Sequence, residues 1–136
     1  TLVEGWACHV EDLLIEAEGF YTPAEILLLK SFERRNAASV MVDINLHSGR
    51  WTTAQAERFY AEKAGFAPAR VAAEVVRNSI FPGSRATYWL GVEGIRSLRR
   101  RWTGDTRDFH DTLLRYGHVK LALVETEMQK AGKIAA

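Results

Sequence analysis

Thr22-Pro23-Ala24-Glu25 writes out a helix start in full. Thr22 offers a capping oxygen, Pro23 suits the first helical position, and Glu25 can reach back to the cap. No glycine or further proline follows until Gly49, so one long helix is expected, running to about His47. Its second half, Ala37-Ala38-Ser39-Val40-Met41-Val42-Asp43-Ile44-Asn45-Leu46, is apolar nearly all round, which predicts burial on most sides.

The same grammar repeats along the chain. Leu2 to Ala17 places Trp6, Val10, Leu13 and Ala17 on one stripe, the spacing of a buried helix face, and Gly19 ends it. Thr52 and Gln55 make a second capping box for a helix reaching about Ala64, stopped by Gly65. Pro68 opens a helix to about Ser79, and Pro82-Gly83 marks a turn. A helix from about Arg85 to Trp102 puts Leu90, Ile95, Leu98 and Trp102 inside. Asp105 and Asp108 can cap a helix through Tyr116, and Val119 to Lys130 forms the last. No period-two alternation is long enough for a strand. The expectation is an all-α fold of six or seven helices in one domain, residues 1–136.

Composition limits the function classes. The hydrophobic fraction of 47% and charged fraction of 26% exclude a disordered or low-complexity chain. Eighteen basic against seventeen acidic residues leave +1, so no nucleic-acid partner is expected. No apolar run approaches the roughly 18–20 residues that span a bilayer, so no membrane span is expected. No leader is visible, and the single Cys8 forms no internal disulfide, a usage compatible with the cytoplasm. The first helical pattern begins at once on Leu2-Val3-Glu4, with no clearly placed cap. We expect a piece of a longer protein, cut inside or just before a helix; a processed small protein is the alternative.

Two constellations have chemistry in them. Glu4, Cys8, Glu11 and Ile15 share a stripe opposite Trp6 and Leu13. Carboxylates beside buried groups need a metal, an arginine or hydrogen-bond donors; otherwise both glutamates face water at the edge of the fold. Asp43 and His47 are one helical turn apart. Either the aspartate fixes the imidazole tautomer for a substrate or metal, or the pair ties the helix end to a neighbour. The run Arg96, Arg99, Arg100, Arg101 reads as a solvated face, and His9 and His118 stand without spaced partners. There is no His-Glu-x-x-His, no phosphate-binding glycine loop and no Gly-x-Ser-x-Gly elbow.

Six segments in register resemble one family: Glu4-Gly5-Trp6-Ala7 with Glu11; Gly19-Phe20-Tyr21-Thr22; Val42-Asp43 with Leu46-His47; Gly49-Arg50-Trp51-Thr52; Pro82-Gly83 with Thr87-Tyr88 and Leu90-Gly91; and Phe109-His110-Asp111. Their order and spacing resemble the C-terminal part of the bacterial domain-of-unknown-function 885 proteins, candidate zinc metallopeptidases. The resemblance implies a larger helical fold, a peptide substrate and a zinc ion. In that family a His-Glu…Gly-His motif lies N-terminal to the Glu-Gly-Trp-Ala helix; this sequence lacks it.

Carried over by position, Glu4 is the implied metal ligand, with Glu11 beside it or in its place. Asp43, His47, Tyr88 and His110 are the implied catalytic residues, the last three as stabilisers of an oxyanion. The chain alone is expected to be inactive and to bind zinc weakly. Its partner would be the N-terminal part of the same protein. A non-catalytic helical interaction module is the alternative. Cys8-His9 stands where the family has Leu-Tyr, Ser84-Arg85 where it has Gln-Ala, and His118-Val119-Lys120 replaces a more apolar stretch.

Overall fold

Capping chemistry sets the helix limits. The computed structural model describes residues 1–135. Seven α-helices follow in order: α1 (Leu2–Glu16), α2 (Pro23–His47), α3 (Thr53–Phe59), α4 (Pro68–Ile80), α5 (Ala86–Arg101), α6 (Thr106–Arg115) and α7 (Leu121–Lys130). No strand occurs among the described residues; one isolated bridge pairs Trp102 with Ile134. At α2 the Thr22 backbone N–H donates to the Glu25 carboxylate at 2.8 Å, and the Thr22 side chain accepts from the Glu25 N–H. Thr52 and Gln55 build the same box at α3. Asp105 accepts from the Asp108 N–H at 2.7 Å and opens α6. Helix α3 continues as a π-helical turn over Tyr60–Ala64, which Gly65 closes in the left-handed region at φ 69°. The capping pattern predicts one α-helix to about Ala64; the wider turn is a feature that apolar spacing does not encode.

Three faces differ from expectation. In α1 the buried positions are Leu2, Gly5 and His9, while Trp6, Val10 and Leu13 are only half-buried and Ala17 is exposed. In α5, Leu90 is exposed and Gly91 is buried. Both shifts have one cause. Helices α1 and α5 cross where Gly5 meets Gly91, so close that a Cβ on Gly5 would lie 2.3 Å from the Gly91 carbonyl carbon. Backbone approach, not side-chain bulk, decides which stripe points inward. In α2, Ser39, Val42 and Asp43 are buried but Met41 and Ile44 stay exposed, so its second half is covered on one side only.

The apolar interior is in two parts. One core joins Leu2 of α1 to Ile95, Leu98 and Trp102, Phe109 and Leu113 of α6, Val124 and Met128 of α7, and Ile134. The other gathers Val42, Ala56, Tyr60, Ala64, Val71 and Val75 from α2, α3, the π-turn and α4. Helix α5 packs against both α1 and α2. Between the two cores lies a polar seam, and the candidate site residues are distributed about it.

Candidate functional site

Helices α1, α2 and α5 enclose a small cavity of about 30 Å³, lined by Cys8, Glu11, Ile15, Asn36, Trp89 and Arg96 among others. Glu4 is half-buried one turn before Cys8, and Glu11 sits at the open rim. Neither carboxylate has a hydrogen-bond or ion-pair partner among the described residues. Their combined effect falls on Cys8. Burial, then the charges of Glu11, Glu4 and Asp12, push its thiol up to about 11. Burial and neighbouring Asp12 also raise Glu11, against the pull of Arg35.

Arg96 closes the seam. Its Nε and Nη2 donate to Asp12 Oδ2 at 2.8 and 2.6 Å, Nη2 also reaches Glu33 Oε1 at 2.7 Å, and Nη1 reaches Glu93 Oε1 at 2.8 Å. One guanidinium thus holds α1, α2 and α5 together. Burial works to lower its pKa, but the three carboxylates outweigh that and the net shift is upward. Arg99 donates to Thr106 Oγ1 and Arg101 to Glu125 Oε1, each at 2.6 Å. Most of the arginine run is therefore spent on contacts within the chain.

A second charged group lies where α2, α4 and α5 meet. Arg85 Nη2 donates to Glu74 Oε2 at 3.0 Å, and both residues are buried. Arg35 stands close enough to feel Arg85, Glu74, Arg70 and Tyr88. Burial and then Arg85 hold its pKa below the ordinary arginine value. The hydroxyl of Tyr88, half-buried on α5, makes no hydrogen bond among the described residues.

Asp43 and His47 do come together, though not as a hydrogen-bonded pair. His47 Nε2 is 3.8 Å from Asp43 Oδ1 and donates instead to the Asn78 carbonyl at 2.9 Å. Both Asp43 oxygens accept from the Gly83 N–H at 2.9 Å. The aspartate thus pins the Pro82-Gly83 turn, and a backbone carbonyl fixes the imidazole tautomer. Beneath them Tyr60 OH bonds Ser39 Oγ at 2.8 Å and accepts from Asn78 Nδ2, a buried polar cluster across α2, the π-turn and α4.

His110 lies elsewhere. Its Nε2 is 3.1 Å from His9 Nε2, and Trp6 meets the His110 ring edge-on at 5.2 Å. His9 is buried, and its Nδ1 has no partner. Burial and then His110 lower the His9 pKa; burial and then Arg99 lower that of His110. Sequence spacing alone gives His9 no partner. Its partner is 101 positions away, and no local spacing announces it. The structure therefore groups Glu4 with Glu11 on one face of α1, Asp43 with His47 at the end of α2, and His110 with His9. Tyr88 is grouped with none of them and lies within electrostatic reach of Arg35.

Such an arrangement is an all-helical scaffold with a carboxylate-lined α1 and an ion-paired seam. The chain belongs to the family of bacterial proteins of unknown function termed DUF885, whose model matches residues 1–128. It is similar to a solved structure described as "the putative lipoprotein from Colwellia psychrerythraea", at 33% identity and a TM-score of 0.82. The match covers 93% of this chain but 23% of that one, so the chain spans about a quarter of its solved relative. No curated protein matches. No helix among the described residues is long and apolar enough to cross a membrane.

Proposed function

We propose that this chain is the C-terminal helical part of a zinc-dependent peptidase, and that Glu4 is its metal ligand. The observation that carries this reading is Glu4 itself: a half-buried carboxylate, within the matched span, that no arginine, lysine or backbone N–H satisfies among the described residues. Glu11 lies two turns further along the same face and is equally unpaired. No group of three metal-binding side chains occurs among the described residues. A single donor fits a site whose other ligands come from outside this segment, in keeping with the small share of the relative that it covers. A zinc ion there would activate water and polarise a peptide carbonyl.

The chain's own residues divide the remaining work. Tyr88, whose hydroxyl makes no hydrogen bond among the described residues, is the donor this reading assigns to an oxyanion. His47 has committed its Nε2 to the Asn78 carbonyl and Asp43 holds the Gly83 N–H, so both act as positioning residues. His110 would act only through the imidazole it shares with His9. The peptide substrate and the N-terminal part of the protein are the partners of this reading.

The test uses the longest natural form of the protein and a tryptic digest of an unrelated protein as substrate, read by mass spectrometry. Glu4→Gln abolishes cleavage while far-UV circular dichroism is unchanged. Undiminished cleavage overturns the assignment. One observation favours the alternative, an interaction module: Leu27, Met41 and Ile44 are exposed at spacings that put them on one side of α2. In that case Glu4→Gln is silent and Met41→Asp weakens association with the rest of the protein.

A further inference from the structure

We propose that His9 and His110 form a two-histidine site for a divalent transition metal of the copper, nickel and zinc class, separate from Glu4. The two Nε2 atoms converge to 3.1 Å, and the ring planes cross at 76°. Metal–imidazole bonds are about 2.0–2.1 Å. Two such nitrogens on one ion therefore lie about 2.9 Å apart in a square plane and about 3.3 Å apart in a tetrahedron. The observed separation falls between these values, so an ion needs no change in the spacing of the two nitrogens, only a turn of each ring that aims its lone pair at the ion.

The surroundings suit the task. Both rings are held by aromatic neighbours: Trp6 packs against each, and Phe109 meets His9 edge-on at 6.2 Å. This fixes the rings without hydrogen bonds to Nδ1. Burial keeps both imidazoles neutral at physiological pH, the form that ligates. Each neutral ring has one N–H. In the unliganded pair one ring donates from Nε2. On metal binding that proton moves to Nδ1 of the same ring, freeing both Nε2 lone pairs with no net proton release. His110 is only half-buried, and His9 borders an open groove with Asp12 and Glu16, so water can complete the coordination shell. Asp12 offsets part of the repulsion from Arg96 and Arg99, which also stand near.

His9 follows Glu4 by five residues, roughly 140° around α1. The two sites are thus on different faces, and this one does not rest on the peptidase reading. The test is a calorimetric titration of Cu²⁺ into the full chain, with electron paramagnetic resonance of the complex. One ion binds per chain, with hyperfine coupling to two nitrogens. His9→Phe and His110→Phe each weaken binding more than about tenfold and remove one nitrogen. His118→Phe changes neither. Wild-type binding by His110→Phe, a sulfur charge-transfer band from Cys8, or no binding at about 1 mM copper would each overturn the proposal. His110 is half-exposed, so its variant decides the matter even if His9→Phe does not fold.

Discussion

Gly5 and Gly91 meet backbone to backbone, with Thr1 O so near that a Cβ on Gly91 would lie 2.3 Å from it. Neither contact has a flexible side chain that can move aside. Gly5→Ala and Gly91→Ala therefore force α1 off α5 and break the alignment of Asp12 with Arg96. Each substitution costs about 1–3 kcal/mol or more, although alanine is the better helix former. Urea denaturation of the two variants measures this; unchanged or increased stability would contradict the close crossing.

Arg96 binds three carboxylates, and its loss leaves Asp12, Glu33 and Glu93 facing one another. Arg96→Gln destabilises the fold by about 1–3 kcal/mol at neutral pH, a figure reduced for partial exposure. The pH dependence has a definite sign. Burial works to raise Glu33, but hydrogen bonds from Lys30 and Arg96 win and hold it below its usual 4.5. That contribution is present above 4.5 and disappears as pH falls through the lower folded value. The gap between Arg96→Gln and the native protein narrows in that window. A constant gap down to pH 3 would contradict it.

Cys8 titrates at about 11 against an ordinary 9.0. At pH 8 its thiolate fraction is about 100-fold below that of a free cysteine; the greater nucleophilicity of a high-pKa thiolate recovers part of this, so iodoacetamide modifies it at least about tenfold more slowly. A raised thiol pKa also means that the unfolded chain loses this proton first. Stability therefore declines as pH rises from 9 towards 11. Fast alkylation at pH 8 in the folded state would show that the thiol is neither buried nor flanked by acid.

Glu74 is the one buried carboxylate among Arg85, Arg70 and Arg35. Removing it as Glu74→Gln costs about 3–5 kcal/mol, because it strands buried positive charge. Arg85→Met costs less, since Arg70 and Arg35 still face the carboxylate. The double variant is more stable than the sum of the two predicts. Simple additivity in thermal unfolding would exclude this coupling.

Helix positions were largely legible in the sequence because capping is local. Thr22 with Glu25, Thr52 with Gln55, and Asp105 with Asp108 all lie within one turn, and each formed as written. The matched family was legible too, through motifs spread over the chain. The inward face of α1 was not. Apolar periodicity counts side chains, whereas Gly5 and Gly91 pack by having none. Two glycines inside helices, where they cost about 1 kcal/mol each, were the available signal. The pairing of His9 with His110, and of Glu74 with Arg85, depends on tertiary approach between separate helices, which spacing along the chain does not carry.

The division of the interior into two cores has a consequence for the order of assembly. The core around Val42 and Tyr60 draws on residues 42–75, a contiguous stretch. Leu2, by contrast, finds its companions only at Ile95 and beyond. Within this segment α1 leaves the ribosome ahead of α5 and waits, its Gly5 groove and imidazole unmatched, until some ninety further residues have been made. Helix α1 is thus enclosed later than α2, α3 and α4, and loop closure over that distance slows completion of its core. Among the helices of this segment, α1 therefore stays exposed for longer after its synthesis than α2, α3 or α4.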